Sequence, residues 1–221
     1  MINKHPSPEL LVEYTAGTLS IAPVISITTH LQFCDRCSDL TSSLTEIGGE
    51  FLEESDAIPV SEDLLGKVLS CLEDPHPSVE PVSSKAKLEV DDLVSSLPKF
   101  VQQILPEGSL TWKFLSPSLK TAAISVGEEV HELALHKIKP GGRAPEHNHS
   151  GSEITVVLKG SFSDEDGVYH PGDFIVREAG EVHRPFAARN EACICLSVLA
   201  GPIKLTGIKR LLNPFLSFSA S

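Results

Sequence analysis

The first third of the chain carries apolar residues at the spacing of amphipathic helices. Ser7-Pro8-Glu9 combines a capping hydroxyl, an early proline and an acid, which together predict a helix start, and Gly17 marks its predicted end. From Ser20 to about Leu52 the apolar residues recur mostly at three- and four-residue steps, which predicts one long helix or a bent pair. A shorter helix over 61–72 is capped by Ser61 and carries five apolar residues: Leu64, Leu65, Val68, Leu69 and Leu72.

A segment that begins at Glu73 is rich in proline and serine and has no periodicity, which is typical of an exposed linker. The pattern of apolar residues changes after this segment. Beyond Phe100 come short apolar runs separated by Gly, Pro and Asp, at intervals typical of an antiparallel barrel. These runs are 111–115, 132–136, 154–158 and 192–199. The sequence therefore predicts a two-domain α + β protein: a helical domain over 1–72, a linker over 73–98, a barrel over 99–205 and a tail over 206–221.

Composition and charge narrow the class of protein. Hydrophobic residues make up 41% and charged residues 22% of the 221 positions, which is ordinary for a soluble globular protein. No apolar run suits a signal peptide or a membrane span, so we expect a cytoplasmic protein without membrane contact.

The net charge of −12 is concentrated at the front: residues 1–85 hold 14 acidic and 4 basic side chains. That surface disfavours direct nucleic-acid binding and suits a partner with a basic face, although it could equally be a solvated acidic surface.

The first group of candidate ligands lies in the helical region. His30, Cys34 and Cys37 form H-x3-C-x2-C, and on one helix these steps would place all three side chains on one face. Zinc prefers four thiolate and imidazole ligands, so a fourth donor is needed, and His5 at the head of the first helix is the best candidate. A zinc ion held this way would pin the first helix to the second and couple metal binding to folding.

Two other interpretations of the cysteine pair remain open. Cys34 and Cys37 could be ordinary half-buried thiols beside a surface His30, because a single C-x2-C is common. They could also form a redox pair, although no thioredoxin-like βαβ pattern surrounds them.

The second group lies in the predicted barrel and is more specific. His147 and His149 are two residues apart, so on a strand they face the same interior, and Glu153 and His183 can join them from neighbouring strands. Three imidazoles and one carboxylate leave coordination positions open for water or a ligand. This donor set suits a divalent metal, with zinc as the first choice and manganese, iron, nickel or copper also compatible.

The remaining histidines and cysteines of this half have no ligand spacing. His131, His136 and His170 are interpreted as surface residues or as supports for the ligands. Cys193 and Cys195 share one face of a strand and are interpreted as core residues.

The pattern from Gly141 to Gly160, followed by Gly172, Gly180 and His183, resembles the two motifs of the cupin superfamily. Glu178 and Ala187 depart from the second motif, where the superfamily commonly has Pro and Asn, but neither is the usual ligand position. The front of the chain, with His5, the segment 30–37 and the segment 47–53, resembles the zinc-binding anti-sigma domain. The order of the two halves is similar to that of the ChrR family.

The resemblance implies a function. ChrR-like proteins hold an extracytoplasmic-function sigma factor (group IV, RpoE-like) inactive in a 1:1 complex through a zinc-dependent helical domain. Their cupin is needed for the response to singlet oxygen and organic hydroperoxides, after which the sigma factor is released. Two alternatives are a metal-dependent cupin enzyme, such as a dioxygenase or isomerase with an accessory zinc domain, and a regulator whose cupin binds a small molecule.

Overall fold

The computed structural model describes residues 2–73, 92–105 and 110–206. The helices are α1 (Pro8–Thr15), α2 (Ile21–Leu31), α3 (Asp35–Glu53), α4 (Leu64–Glu73), α5 (Asp92–Ser95) and α6 (Lys99–Ile104). The strands are β1 (Lys113–Ser116), β2 (Leu119–Ile124), β3 (Glu132–Ile138), β4 (His147–His149), β5 (Glu153–Lys159), β6 (Phe162–Asp164), β7 (Gly167–Tyr169), β8 (Phe174–Arg177), β9 (Phe186–Ala187), β10 (Cys193–Leu199) and β11 (Ile203–Leu205). A helical front half followed by an antiparallel β half confirms the predicted fold class.

Helix α1 begins and ends where the sequence predicts. The Ser7 hydroxyl accepts a hydrogen bond from the Leu10 amide, and Pro8 occupies the first turn. Gly17 then adopts the left-handed conformation with φ +68°, which stops the helix at little steric cost because glycine lacks a Cβ. Both ends of α1 are therefore set locally.

Of the two arrangements predicted over 20–52, one long helix or a bent pair, the structure has the pair, with a sharp turn between the helices. The amides of Phe33 and Cys34 both donate to the His30 carbonyl, which ends α2 and redirects the chain before α3 starts at Asp35. His30 therefore lies on one helix and Cys37 on the next, with Cys34 at the junction. The three residues do not share one helical face as predicted, since they converge across a turn.

Part of the predicted linker is structured. Residues 74–91 lie outside the described ranges, whereas residues 92–95 form α5 and Leu97 is only 4% exposed. Residues 207–221 of the predicted tail lie outside the described ranges. The side chain of Leu72, in the predicted helix over 61–72, is also not described. Within the described ranges, no helix combines the length and the hydropathy that a membrane crossing needs.

The β half is built from three antiparallel sheets. The largest has the strand order β1-β2-β3-β10-β5-β8, and the smaller ones have the orders β7-β6-β9 and β11-β4. His147 in β4 also forms a bridge with His183, which joins the ends of the two cupin motifs. This pairing brings residues 36 positions apart to one end of the barrel.

The large sheet is covered on both faces. On its outer face Ile154, Val156, Leu196 and Val198 belong to the same buried apolar cluster as the α2 residue Ile25, and α2 packs on β5 and β10. The alternate residues of the same two strands face a cavity inside the barrel: Glu153, Thr155, Cys195, Ser197 and Leu199. One layer of backbone therefore separates the helical half from the barrel interior.

Candidate metal centres

The structure brings together the four candidate ligands of the helical half. His5 Nδ1 lies 3.4 Å from the sulfur of Cys34 and 3.4 Å from that of Cys37, and the ligand atoms of all four residues lie within 4.8 Å of one another. A tetrahedral zinc ion with ordinary Zn–S and Zn–N bonds would hold such atoms roughly 3.5 Å apart. The cluster therefore fits a zinc ion with two thiolate and two imidazole ligands.

The orientation of His30 supports the same assignment. Its Nδ1–H donates a 2.6 Å hydrogen bond to the Gly172 carbonyl of the barrel, which leaves a lone pair on Nε2. That Nε2 atom is fully buried and has no hydrogen-bond partner. A buried imidazole nitrogen of this kind is costly unless something binds it, and a metal ion would do so.

The positions of the histidines favour metal binding over a redox pair. Burial, together with the neighbouring Cys34 thiol, raises the pKa of Cys37 to about 11. A thiolate is the reactive form in disulfide exchange and also the form that binds metal, so this pKa does not separate the two interpretations. His5 Nδ1 lies 3.4 Å from both sulfurs and His30 completes the cluster, which is the arrangement of a metal site.

Residues just ahead of His5 are anchored to the barrel. The buried Asp173 carboxylate accepts hydrogen bonds from the amides of Asn3 and Lys4, and the Phe174 amide donates to the Lys4 carbonyl. Gly172 makes this approach possible, since a Cβ there would come within 2.7 Å of Ile2 and Phe33. The position of the candidate ligand His5 therefore depends on a barrel loop, through a contact between Asn3 and Asp173 that joins residues 170 positions apart and that no local spacing predicts.

The four candidate ligands of the barrel also converge. His183 Nε2 lies 3.0 Å from His147 Nε2 and 3.2 Å from His149 Nε2, and the Glu153 carboxylate lies 3.0 Å from His149 Nε2. Zinc with Zn–N and Zn–O bonds near 2.0–2.1 Å would hold tetrahedral donors roughly 3.3 Å apart. Glu153 Oε2 is buried without a hydrogen bond although it is close to His149, because the two groups face a common centre rather than each other.

Electrostatics at this cluster suits a cation. Burial alone would raise the pKa of Glu153, but the three imidazoles hold it well below its usual range, so the carboxylate is ionised. Burial lowers the pKa of His147, and it lowers that of His183 to about 4, so these rings are neutral near pH 7. His147 donates from Nδ1 to the Pro145 carbonyl, which leaves its Nε2 lone pair for a metal ion.

His183 is backed by a polar network that the sequence pattern did not reveal. Asp164 Oδ2 lies 4.0 Å from His183 Nδ1, and the Asp164 carboxylate also accepts from the Tyr169 hydroxyl and from Arg177. These residues come from β6, β7 and β8. Their spacing in the chain resembles no ligand motif, so only the strand pairing identifies them.

The other histidines and cysteines of the barrel take three kinds of position. His170 is exposed, and Cys193 and Cys195 are buried, as predicted for a surface and two core residues. His131 lies between the halves of the protein, within reach of Ser20 and Glu128. His136 lines the barrel cavity, where burial lowers its pKa to about 4.

Glu128 joins the barrel to α2, a contact that no motif in the sequence predicts. Its Oε2 accepts a 2.7 Å hydrogen bond from the Ala22 amide at the start of α2, while Oε1 bonds to His131. Burial would raise the pKa of Glu128, but His131 and the Ala22 amide lower it overall. The carboxylate thus accepts a hydrogen bond from a first-turn amide that has no partner within its own helix.

We expect Glu128→Ala to lower the free energy of unfolding by about 1–3 kcal/mol, because it leaves the buried Ala22 amide without a partner. Since the folded pKa lies below the unfolded value, the contribution is present above about pH 4.5 and is lost as the pH falls through the folded pKa. Urea unfolding at pH 7 and pH 4 measures both effects. Exposed Glu129→Ala is the matched control, and equal stability of the two variants at pH 7 would contradict the assignment.

Comparisons with known proteins agree with this arrangement. Residues 102–203 match the family model of the ChrR cupin-like domain. The anti-sigma-E factor ChrR of Cereibacter sphaeroides is 32% identical over 216 residues, covering 97% of this chain and 98% of that protein. The chain belongs to the ChrR family. In the crystal structure of Rhodobacter sphaeroides SigE in complex with the anti-sigma factor ChrR, a chain matches this fold with a TM-score of 0.75, 30% identity, and coverage of 90% of this chain and 100% of that one.

Membership in the ChrR family confirms the resemblance seen in the sequence. It groups this cupin with a family of regulators rather than with the metal-dependent cupin enzymes that share the barrel. The similarity to ChrR spans both halves of the chain, so both candidate metal centres lie within it. The identity of the metal in each centre stays a prediction.

Proposed function

We propose that this protein is a zinc-dependent anti-sigma factor that binds an extracytoplasmic-function sigma factor through its helical half. The observation that carries the proposal is the similarity over 97% of the chain to ChrR, whose fold is known in complex with SigE. The helical half would cover surfaces of the sigma factor that otherwise contact polymerase and promoter DNA. We expect a 1:1 complex in the cytoplasm.

The surface of α4 supports a protein partner at the helical half. Its residues Leu64, Leu65, Val68 and Leu69 are between 41% and 69% exposed, although apolar side chains of this size favour burial. The segment that carries them is strongly acidic, with 14 acidic and 4 basic side chains in residues 1–85. An apolar stripe on an acidic domain suits a partner that is apolar at the contact and basic around it.

Zinc in the helical half would hold the helices in the arrangement that the sigma factor recognises. His5 precedes α1, His30 lies on α2, and the two cysteines lie at the start of α3. One ion therefore joins all three helices, in a bundle with little apolar core of its own. Loss of zinc would destabilise the arrangement of the three helices and weaken their binding to the sigma factor.

The cupin would act as the sensor for singlet oxygen and organic hydroperoxides. Its metal ligand Glu153 is followed directly by Ile154, which faces the helical half. A change of ligation on one side of β5 therefore acts on the α2 contact through a single strand. Release of the sigma factor would follow from that shift.

We expect the double substitution Leu65→Asp, Leu69→Asp to weaken sigma-factor binding at least 100-fold, because it places two charges on the apolar stripe of α4. Titration of a labelled sigma factor with the purified variant measures the change in Kd. Val168→Asp, at a residue 58% exposed on β7, is the matched control and should bind normally. Unchanged binding by the α4 variant in a folded, zinc-loaded state would exclude this surface.

Co-expression with each extracytoplasmic-function sigma factor of the host, followed by co-purification and metal analysis, tests the proposal as a whole. We expect one sigma factor to co-purify in equal amount with a chain that contains zinc. Failure to retain any of them would contradict the anti-sigma function, whatever the metal content.

A further inference from the structure

The barrel encloses a cavity that the regulatory proposal leaves unused. Its volume is about 250 Å³, and its lining includes the metal-ligand candidates His147, Glu153 and His183. Lys113 and Leu115 of β1 line it as well, and both are exposed at the surface. The space equals roughly eight water molecules at the volume each has in the liquid, which is enough for a small organic molecule.

Most of the cavity wall is apolar. The apolar lining residues include Leu119, Ala123, Ile138, Phe162 and Leu199. Water gains few hydrogen bonds against such a wall, so an apolar group fills it more favourably than water does. The body of a ligand that fits this space is therefore apolar.

Two of the polar groups in the wall already satisfy each other. The hydroxyls of Thr155 and Ser197 are 3.1 Å apart and form a buried hydrogen bond. They can stay in place without a ligand.

The imidazole of His136 differs from these hydroxyls. It lines the same cavity as His147, Glu153 and His183, and it makes no hydrogen bond to any residue in the described ranges. A ring N–H beside the metal centre is thus available to a ligand.

Charge at the inner end favours an anion. A divalent ion held by three neutral imidazoles and one carboxylate leaves one positive charge uncompensated in a largely apolar space. Lys113 and Glu132 also line the cavity, and their opposite charges offset each other, so the net positive charge is that of the metal centre. This local charge opposes the overall −12 of the chain, which otherwise repels anions.

We propose that the cavity binds a small amphipathic carboxylate of up to about ten non-hydrogen atoms. One carboxylate oxygen lies at the metal centre, the other accepts the hydrogen bond of His136, and the apolar body lies among Leu119, Phe162 and Leu199. Small-molecule sites commonly combine a mostly apolar wall with a few convergent polar groups, and this cavity has both. The lining of the cavity belongs entirely to the barrel, so the protein without a sigma factor is sufficient for the test.

Benzoate is a suitable probe. Acetate, which has the carboxylate without the ring, and benzyl alcohol, which has the ring without the charge, are the two comparison compounds. Isothermal titration of the full-length, zinc-loaded protein at pH 7.5 should show one benzoate site. We expect benzoate to bind at least tenfold more tightly than acetate, because its ring is buried, and at least tenfold more tightly than benzyl alcohol, because its charge is used.

Two variants test the position of the ligand. His136→Ala should weaken benzoate binding about tenfold while acetate and benzoate keep their order. Ala123→Phe, at an exposed residue of the lining, fills part of the cavity and should weaken benzoate more than acetate. His170→Ala removes an exposed histidine of the same domain and should change neither affinity.

Several results would overturn the proposal. Equal affinities for benzoate and acetate would indicate simple metal ligation without use of the apolar wall. Full benzoate affinity in the folded Ala123→Phe variant, or in His147→Ala protein without cupin metal, would place the ligand elsewhere. If His136→Ala does not fold, the Ala123→Phe comparison decides the outcome by itself.

Discussion

Replacement of Cys37 by serine is expected to abolish sigma-factor inhibition and to remove the zinc of the helical half. Cys37 is 4% exposed, and its sulfur lies 3.4 Å from His5 Nδ1 in a cluster that joins three helices. Serine is a poor zinc ligand, and structural zinc in small domains supplies about 10–16 kcal/mol of apparent folding free energy at pH 7. Loss of one of the four ligands should therefore weaken sigma binding at least 100-fold.

The measurement is co-purification of the sigma factor together with zinc content per chain. Cys71→Ser is the control, because Cys71 is an exposed thiol on α4 outside both clusters. It should keep the zinc of wild-type protein. A Cys37→Ser protein that keeps its full zinc content and binds the sigma factor tightly would show that this cluster is not the structural centre.

The second large effect concerns the barrel. We expect His147→Ala together with His149→Ala to remove the cupin metal and to block release of the sigma factor, while inhibition in unstressed cells stays nearly unchanged. The two side chains are 8% and 1% exposed and lie on β4, whereas α2 packs on β5 and β10 of the large sheet. The double substitution leaves unchanged all four candidate zinc ligands of the helical half.

A sigma-dependent reporter, read before and after exposure to singlet oxygen or an organic hydroperoxide, distinguishes the two functions. His170→Ala, at an exposed histidine of the same domain, should respond like the wild type. Reporter activity that is already high without stress in the double variant would refute this division of labour, since it would mean that the cupin metal is needed for inhibition itself.

Local sequence pattern was sufficient for elements whose causes are local. The start of α1 follows from Ser7 and Pro8, and its end follows from Gly17, because capping and backbone conformation involve only neighbouring residues. The barrel cluster was equally accessible, since His147 and His149 alternate on one strand and Glu153 opens the next. These features each span a few residues, whereas His183 lies 36 positions from His147 and was assigned from the second cupin motif.

The local spacing of apolar and polar residues did not predict features that depend on contacts with other parts of the chain. The turn between His30 and Asp35 was not resolved from the apolar spacing, which is nearly the same for one helix and for two. The hydrogen bonds of Asp173 to Asn3 and of Glu128 to Ala22 join residues 170 and 106 positions apart. A burial signal was present in β10, whose sequence CICLSVL is apolar on both faces, but it does not say what covers each face.

The hydrogen bond from His30 to Gly172 constrains how the two halves of such proteins can evolve. The candidate metal ligand His30 of one half takes its orientation from a backbone carbonyl of the other half, and α2 packs on β5 and β10. The two halves are therefore not interchangeable modules. A barrel grafted from a distant relative would bring a foreign outer surface to α2 and a differently placed carbonyl to the imidazole, so the halves must evolve as a matched pair.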